Sequence, residues 1–112
     1  MCDDNQLLAE LLTLTMTLDE YGDITYTNQA GELHRAHGPA VIWADGEKGW
    51  YQHGRRHRVD GPAVTLPDGS EHWYISGRRH RVGGPASVFA GDRIWEWWEN
   101  GVCLREESMD AR

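Results

Sequence analysis

Between Leu12 and Leu18 the chain alternates strictly, with Leu12, Leu14, Met16 and Leu18 against Thr13, Thr15 and Thr17, which predicts a strand with one apolar side. Ahead of it the period changes. Asp3 followed by Gln6 resembles a helix-starting box, and Leu7, Leu8, Leu11 and Leu12 share one helical face, so a short helix over residues 1–12 is expected to break into that strand. Beyond it the apolar runs are short and end in turn residues. "AVTLPDGSEHWYI", Ala63 to Ile75, reads as apolar strand, turn and aromatic strand, and "AVIWADGEKGWYQ", Ala40 to Gln52, repeats it. Asp45-Gly46 and Asp68-Gly69 between β-prone runs predict tight hairpins in which both central residues take positive φ. His53-Gly54 and Ser76-Gly77 turn the chain again. Gly61-Pro62 and Gly84-Pro85 then open the next strand, where a proline removes no central ladder bond.

These elements recur at a fixed period. "WYQHGRRHRVDGPAV", Trp50 to Val64, and "WYISGRRHRVGGPAS", Trp73 to Ser87, agree at eleven of fifteen positions, 23 residues apart. The same step backward lands on Gly31, His34, Arg35, Gly38, Pro39, Ala40 and Val41. Forward, with one inserted residue, Trp97, Trp98, Gly101, Leu104 and Arg105 take the Trp, Tyr, Gly, His and Arg places. That last copy is degraded, as suits a terminal cap, and "GDITYTNQAG" forms an incomplete leading unit. The expected organisation is an arm over 1–12, a repeat domain over 13–107 with units near 22–44, 45–67, 68–91 and 92–107, and a tail over 108–112.

A lone two-stranded hairpin is marginal in water, so the units must stack, and cross-unit packing of the Trp and Tyr positions is the expected glue. The fold class is therefore mainly β: stacked β-hairpin repeats forming an extended antiparallel sheet. Strands lie about 4.8 Å apart, so equivalent residues of successive two-strand units should recur roughly every 10 Å. A single-layer sheet leaves one face bare, and the leucine-rich start either covers it or joins two copies as a homodimer.

At 112 residues there is room for one domain. No run is long and apolar enough for a membrane span, and no cationic leader precedes an apolar stretch. Cys2 and Cys103 fit free thiols in a reducing cytosol, so a cytoplasmic protein is expected. Net charge is −7, but residues 53–82 carry +3, leaving −10 for the rest. A basic middle between acidic ends makes electrostatic attraction local.

With Tyr51, Gly54 and His57, then Tyr74, Gly77 and His80, and Gly31 and His34 earlier, the chain resembles the MORN-type β-hairpin repeats and their looser antitoxin-like relatives in bacteria and phages. The likeness covers roughly residues 20–105. It departs where Arg58 and Arg81 follow the histidine in place of a second glycine, and in the added Gly-Pro-Ala step. The resemblance implies a scaffold for binding proteins or lipids with no common chemistry.

Candidate chemistry is sparse. Arg55, Arg56, Arg58, Arg78, Arg79 and Arg81, with Arg35 and Arg105, could form a ribbon of charge interleaved with Trp and Tyr that grips phosphates and bases, or could pack over the rings and pair with nearby acids. The overall charge favours the second. His34, His57 and His80 step about 10 Å at a time and so cannot share one metal; a structural role at a turn is expected, with no metal and no cofactor. His37, His53 and His72 lack the period and read as surface residues. No nucleophile has a fixed partner and no glycine-rich phosphate loop opens a helix, so no enzyme is expected. Repeated Gly31, His34, Trp50, Gly54, His57, Trp73, Gly77 and His80 are read as architecture. Partner contacts are expected at Arg55, Arg56, Arg78, Arg79, Trp95, Glu96, Trp98 and Glu99. The leading expectation is a non-enzymatic binder of a host or defence protein, an anti-CRISPR-like phage inhibitor whose acidic ends mimic a nucleic-acid backbone. The alternatives are an anionic-ligand binder (nucleic acid, nucleotide or phosphoinositide) and an antitoxin, with nucleic acid the weaker partner.

Overall fold

The computed structural model describes residues 13–108; the expected helix over 1–12 lies outside the described residues, and of the expected tail only Ser108 is described, within the last strand. Thirteen short strands follow one another among the described residues. They are β1 (Thr15–Leu18), β2 (Ile24–Thr27), β3 (Val41–Ile42), β4 (Lys48–Gly49), β5 (Tyr51–Gln52), β6 (Arg55–Arg56) and β7 (Val64–Thr65). After these come β8 (Glu71–His72), β9 (Tyr74–Ile75), β10 (Arg78–Arg79), β11 (Ser87–Phe89), β12 (Ile94–Glu99) and β13 (Val102–Ser108). Nine form one antiparallel sheet in the order β1-β2-β3-β4-β7-β8-β11-β12-β13, and the pairs β5-β6 and β9-β10 stand apart as two-stranded hairpins. The mainly β, stacked-hairpin architecture expected from the repeat is thus present.

Each unit contributes twice. The hairpin β3-β4 belongs to the main sheet; the chain then passes straight through Trp50 into the hairpin β5-β6, and the next unit does the same with β7-β8, Trp73 and β9-β10. The small hairpins form their own ladder. Gly77 N–H donates to the Arg56 carbonyl at 2.8 Å and Arg58 N–H to the Tyr74 carbonyl at 3.0 Å, with Gly101 to Arg79 and Arg81 to Trp98 one unit on. A second ladder was not part of the single-sheet expectation.

The two ladders use different turns. In the main sheet Trp43 N–H donates to the Glu47 carbonyl and Gly46 N–H to the Trp43 carbonyl, enclosing the three-residue loop Ala44-Asp45-Gly46; Leu66, Ser70 and Gly69 repeat it around Pro67-Asp68-Gly69. Only the glycine has positive φ, +96° at Gly46 and +92° at Gly69. This corrects the expectation that Asp45 and Asp68 share that conformation: the loop is a type I turn followed by a left-handed residue, which also suits Pro67 at the turn's second position. Two-residue turns with both φ positive occur instead in the second ladder, at His53-Gly54 (50° and 80°) and Ser76-Gly77 (49° and 84°), and at Asn100-Gly101 (52° and 82°), where the far end of β12-β13 of the main sheet bonds onto that ladder.

The most enclosed side chains are small. Ala40, Ala63 and Ala86, one per unit, are wholly buried beside Val41, Val64 and Ser87, whereas Trp50 and Trp73 are only half-buried. The wholly buried positions are thus these small residues, while the repeated Trp and Tyr positions are only half-buried. The molecule is elongated, 51 × 33 × 26 Å. No helix of the described residues is long and apolar enough to cross a membrane.

Candidate interaction surface

The Gly-Pro-Ala step and the arginine after each histidine form one device. Arg58 lays its guanidinium 3.9 Å from the centroid of the Trp50 ring and donates from Nη1 to the Pro62 carbonyl at 3.2 Å. Arg81 does the same with Trp73 (3.9 Å) and Pro85 (3.2 Å), Arg35 with Tyr26 (4.1 Å) and Pro39 (3.3 Å). Room for the guanidinium comes from the glycine: a Cβ on Gly61 would lie 2.6 Å from Arg58 Cζ, and 2.8 Å from the corresponding arginine at Gly38 and Gly84. Half-buried cation–π contacts of this kind contribute about 0.5–2 kcal/mol each.

The repeated histidines hold turns, one unit ahead. His34 Nδ1 accepts the His53 N–H at 3.0 Å, His57 Nδ1 accepts the Ser76 N–H at 2.9 Å, and His80 Nδ1 accepts the Asn100 N–H at 3.0 Å. Each donor is the non-glycine residue forced to positive φ, so the histidine ties down the strained corner of the following hairpin. Acceptance at Nδ1 requires the Nε2–H tautomer of a neutral ring. Among the described residues no group of His, Cys, Asp and Glu is arranged to hold a metal ion.

The arginine ribbon divides into three rows. Arg35, Arg58 and Arg81 are committed to the clamp. Arg56 and Arg79 are half-buried: Arg56 donates to the Tyr51 hydroxyl (3.3 Å) and the Tyr74 hydroxyl (3.4 Å), and Arg79 donates to Tyr74 (3.2 Å) and lies 3.5 Å from Glu96 Oε1. Burial works against the Arg56 charge, but the two tyrosine hydroxyls outweigh it and hold the group above the ordinary guanidinium value. Only Arg55 and Arg78 of the central block are exposed, their stems lying along Gly77 and Gly101 of the next turn. His72, read from sequence as a surface residue, is instead half-buried: Nδ1 lies 2.9 Å from Ser87 Oγ and the ring meets Phe89 edge-on. Burial, then the nearby Arg79 and Arg56 charges, push its pKa down.

The terminal aromatic strand is largely tied in. Glu96 accepts from Trp98 Nε1 at 2.8 Å, which with Arg79 holds its carboxylate inward; Arg79 also stacks on Trp98 at 5.0 Å. Trp97 carries Arg105 at 4.0 Å and meets Trp95 edge-on. Trp95 and Glu99 are the exposed members of the expected partner set on this strand.

Sequence reading missed two residues that the fold brings to prominence. Val59 and Val82, at equivalent places just after the clamp arginines, are both 75 % exposed. Between Ala36 and Val59 lies a groove of about 260 Å³ lined by Trp50, Gln52 and His57; between Val59 and Val82 lies a second, of about 420 Å³, lined by Trp73, Ile75 and His80. Arg58 and Val59 border both, so the grooves are contiguous. The repeated "HRV" was the available signal, an apolar residue conserved between copies at a loop position where packing does not need it.

Comparisons with protein families, with curated proteins and with solved structures found no match for this chain.

Proposed function

We propose that the chain is a non-enzymatic protein-binding repeat module built on MORN-like hairpins, and that the paired grooves beside Val59 and Val82 are its contact surface. The observation that carries this reading is the repetition of an exposed valine over a Trp-lined groove in successive units. Apolar side chains held in the open at a loop, flanked by aromatic rings and arginine, have the composition of interface anchors. The reading is supported from the opposite direction by the arginines. A phosphate-gripping ribbon needs free guanidinium heads, and four of the six central ones are bonded to rings, tyrosine hydroxyls, backbone carbonyls or Glu96.

The test compares wild type with two double variants, Val59→Glu/Val82→Glu and Arg55→Glu/Arg78→Glu, as baits in lysate of the source cell at about 150 mM salt after nuclease treatment. A stoichiometric protein retained by wild type and by the arginine variant, and lost from the valine variant, is the expected result. Retention of nucleic acid in untreated lysate, lost only on changing Arg55 and Arg78, would replace this reading with the anionic-ligand one.

A further inference from the structure

At its N-terminal edge the main sheet ends in β1, which has β2 as its one strand neighbour among the described residues and whose four residues are all exposed. Natural sheets blunt such an edge with charge, proline or a bulge. The opposite edge is blunted in this way: β13 carries Arg105, Glu106 and Glu107 and pairs with a strand bulged between Trp97 and Trp98. β1 reads Thr-Met-Thr-Leu, uncharged, and is in unbroken register with β2.

Backbone geometry fixes which groups point outward. Met16 is opposite Tyr26, whose N–H goes to the Ala40 carbonyl and whose carbonyl accepts from His34, both on the side away from β1. Met16 and Tyr26 are therefore a pair that exchange no hydrogen bonds, and the Met16 N–H and carbonyl face the open edge, as do those of Leu18 two residues on. These groups stand ready to receive another strand.

We propose that this strand is β1 of a second copy, joined antiparallel about a two-fold axis at Met16, to give a continuous sheet across a homodimer. The argument for a second copy is self-complementarity. Because paired residues of an antiparallel ladder share a face, this register sets Met16 against the partner's Met16, Leu14 against the partner's Leu18 and Leu18 against the partner's Leu14. Thr15 meets the partner's Thr17 on the other face. Leu18 and Met16, now 62 % and 57 % exposed, gain an apolar row along one side. Charge selects the same orientation. The turn after β1 carries Asp19, Glu20 and Asp23, and antiparallel pairing sends the two acidic turns to opposite ends of the seam, where parallel pairing would set them side by side. The dimer is independent of what the grooves hold.

Sedimentation velocity across a concentration series on the full chain should show a monomer–dimer equilibrium. Met16→Pro removes an outward N–H at the centre of the proposed seam without disturbing an intrachain bond, and should leave a folded monomer by circular dichroism. Leu18→Lys, which leaves the backbone untouched, should weaken dimerisation at least tenfold. In a Cys2→Ser/Cys103→Ser background, mild oxidation should cross-link Met16→Cys to its symmetry mate while Thr15→Cys, displaced from its own mate, stays uncross-linked. A chain monomeric at every concentration would overturn the proposal, as would a dimer indifferent to Leu18→Lys, or cross-linking through Thr15→Cys in preference to Met16→Cys.

Discussion

Gly61 and Gly84 are glycines because a guanidinium occupies the place of their side chains, and this is the sharpest constraint at the scale of single residues. Gly61→Ala should push the Arg58 guanidinium off the Trp50 ring and lower stability by about 0.5–2 kcal/mol, the worth of that contact, measured by urea denaturation. Once Arg58→Ala is present the same change should have little further effect, and a double-mutant cycle that came out additive would refute the coupling. His72 sets a pH dependence whose sign is fixed by the direction of its shift. Its folded pKa lies below the ordinary value, so as pH falls past about 6.5 the unfolded chain takes up a proton that the folded chain resists. The stability His72 contributes is present above that pH and is lost as pH falls toward the folded pKa. Denaturation midpoints taken between about pH 7.5 and 5.5 should decline less steeply for His72→Gln than for wild type. The repetition of Gly, Arg and Trp was legible in the sequence. The ring-over-arginine-over-glycine stack was not, because glycine before proline is equally explained by turn chemistry until the guanidinium is placed.

Among elements, the two small hairpins and the equivalent turn between β12 and β13 each carry a residue at an unfavourable φ: His53, Ser76 and Asn100. Asparagine is the preferred occupant of that corner in a two-residue turn, and the third copy has it. Ser76→Asn should therefore raise stability by up to about 1 kcal/mol, readable as a higher midpoint in urea. His57→Ala, which leaves the exposed Ser76 N–H to water, should lower stability by about 0.5–1.5 kcal/mol, and less in the Ser76→Gly background, where the corner needs no restraint. Hairpin positions could be read from the chain because Gly marks each turn. Their types could not: Asp-Gly suits both a two-residue and a three-residue loop, and the choice follows from Trp43 pairing with Glu47, a cross-strand contact with no local signature. The second ladder escaped for the same reason, since strands of two residues are too short to show alternation.

For the whole molecule, the elongated stack means that each unit is supported only by its neighbours, so opening should begin at the ends. Hydrogen exchange should find the Trp50, Ala63, Trp73 and Ala86 amides, bonded to one another's strands in the middle of the stack, slowest to exchange, with β1 and β13 fastest. That a stack exists was evident from one phrase written twice. Its most buried positions were not: the repeated aromatics were read as the packing between units, and the wholly buried alanines look like spacers in a linear reading. The His-to-turn bond has a direction, each unit holding the corner of the unit after it, and this bears on how the array can change length. An in-frame duplication of a central 23-residue unit would bring its own histidine and its own turn, satisfying both seams, and the longer protein should fold with an undiminished melting temperature. The same 23 residues grafted after Glu107 would meet Leu104 where the acceptor belongs and dock loosely unless Leu104→His were added. Growth of this array by duplication is thus open in the middle and closed at its C-terminal end.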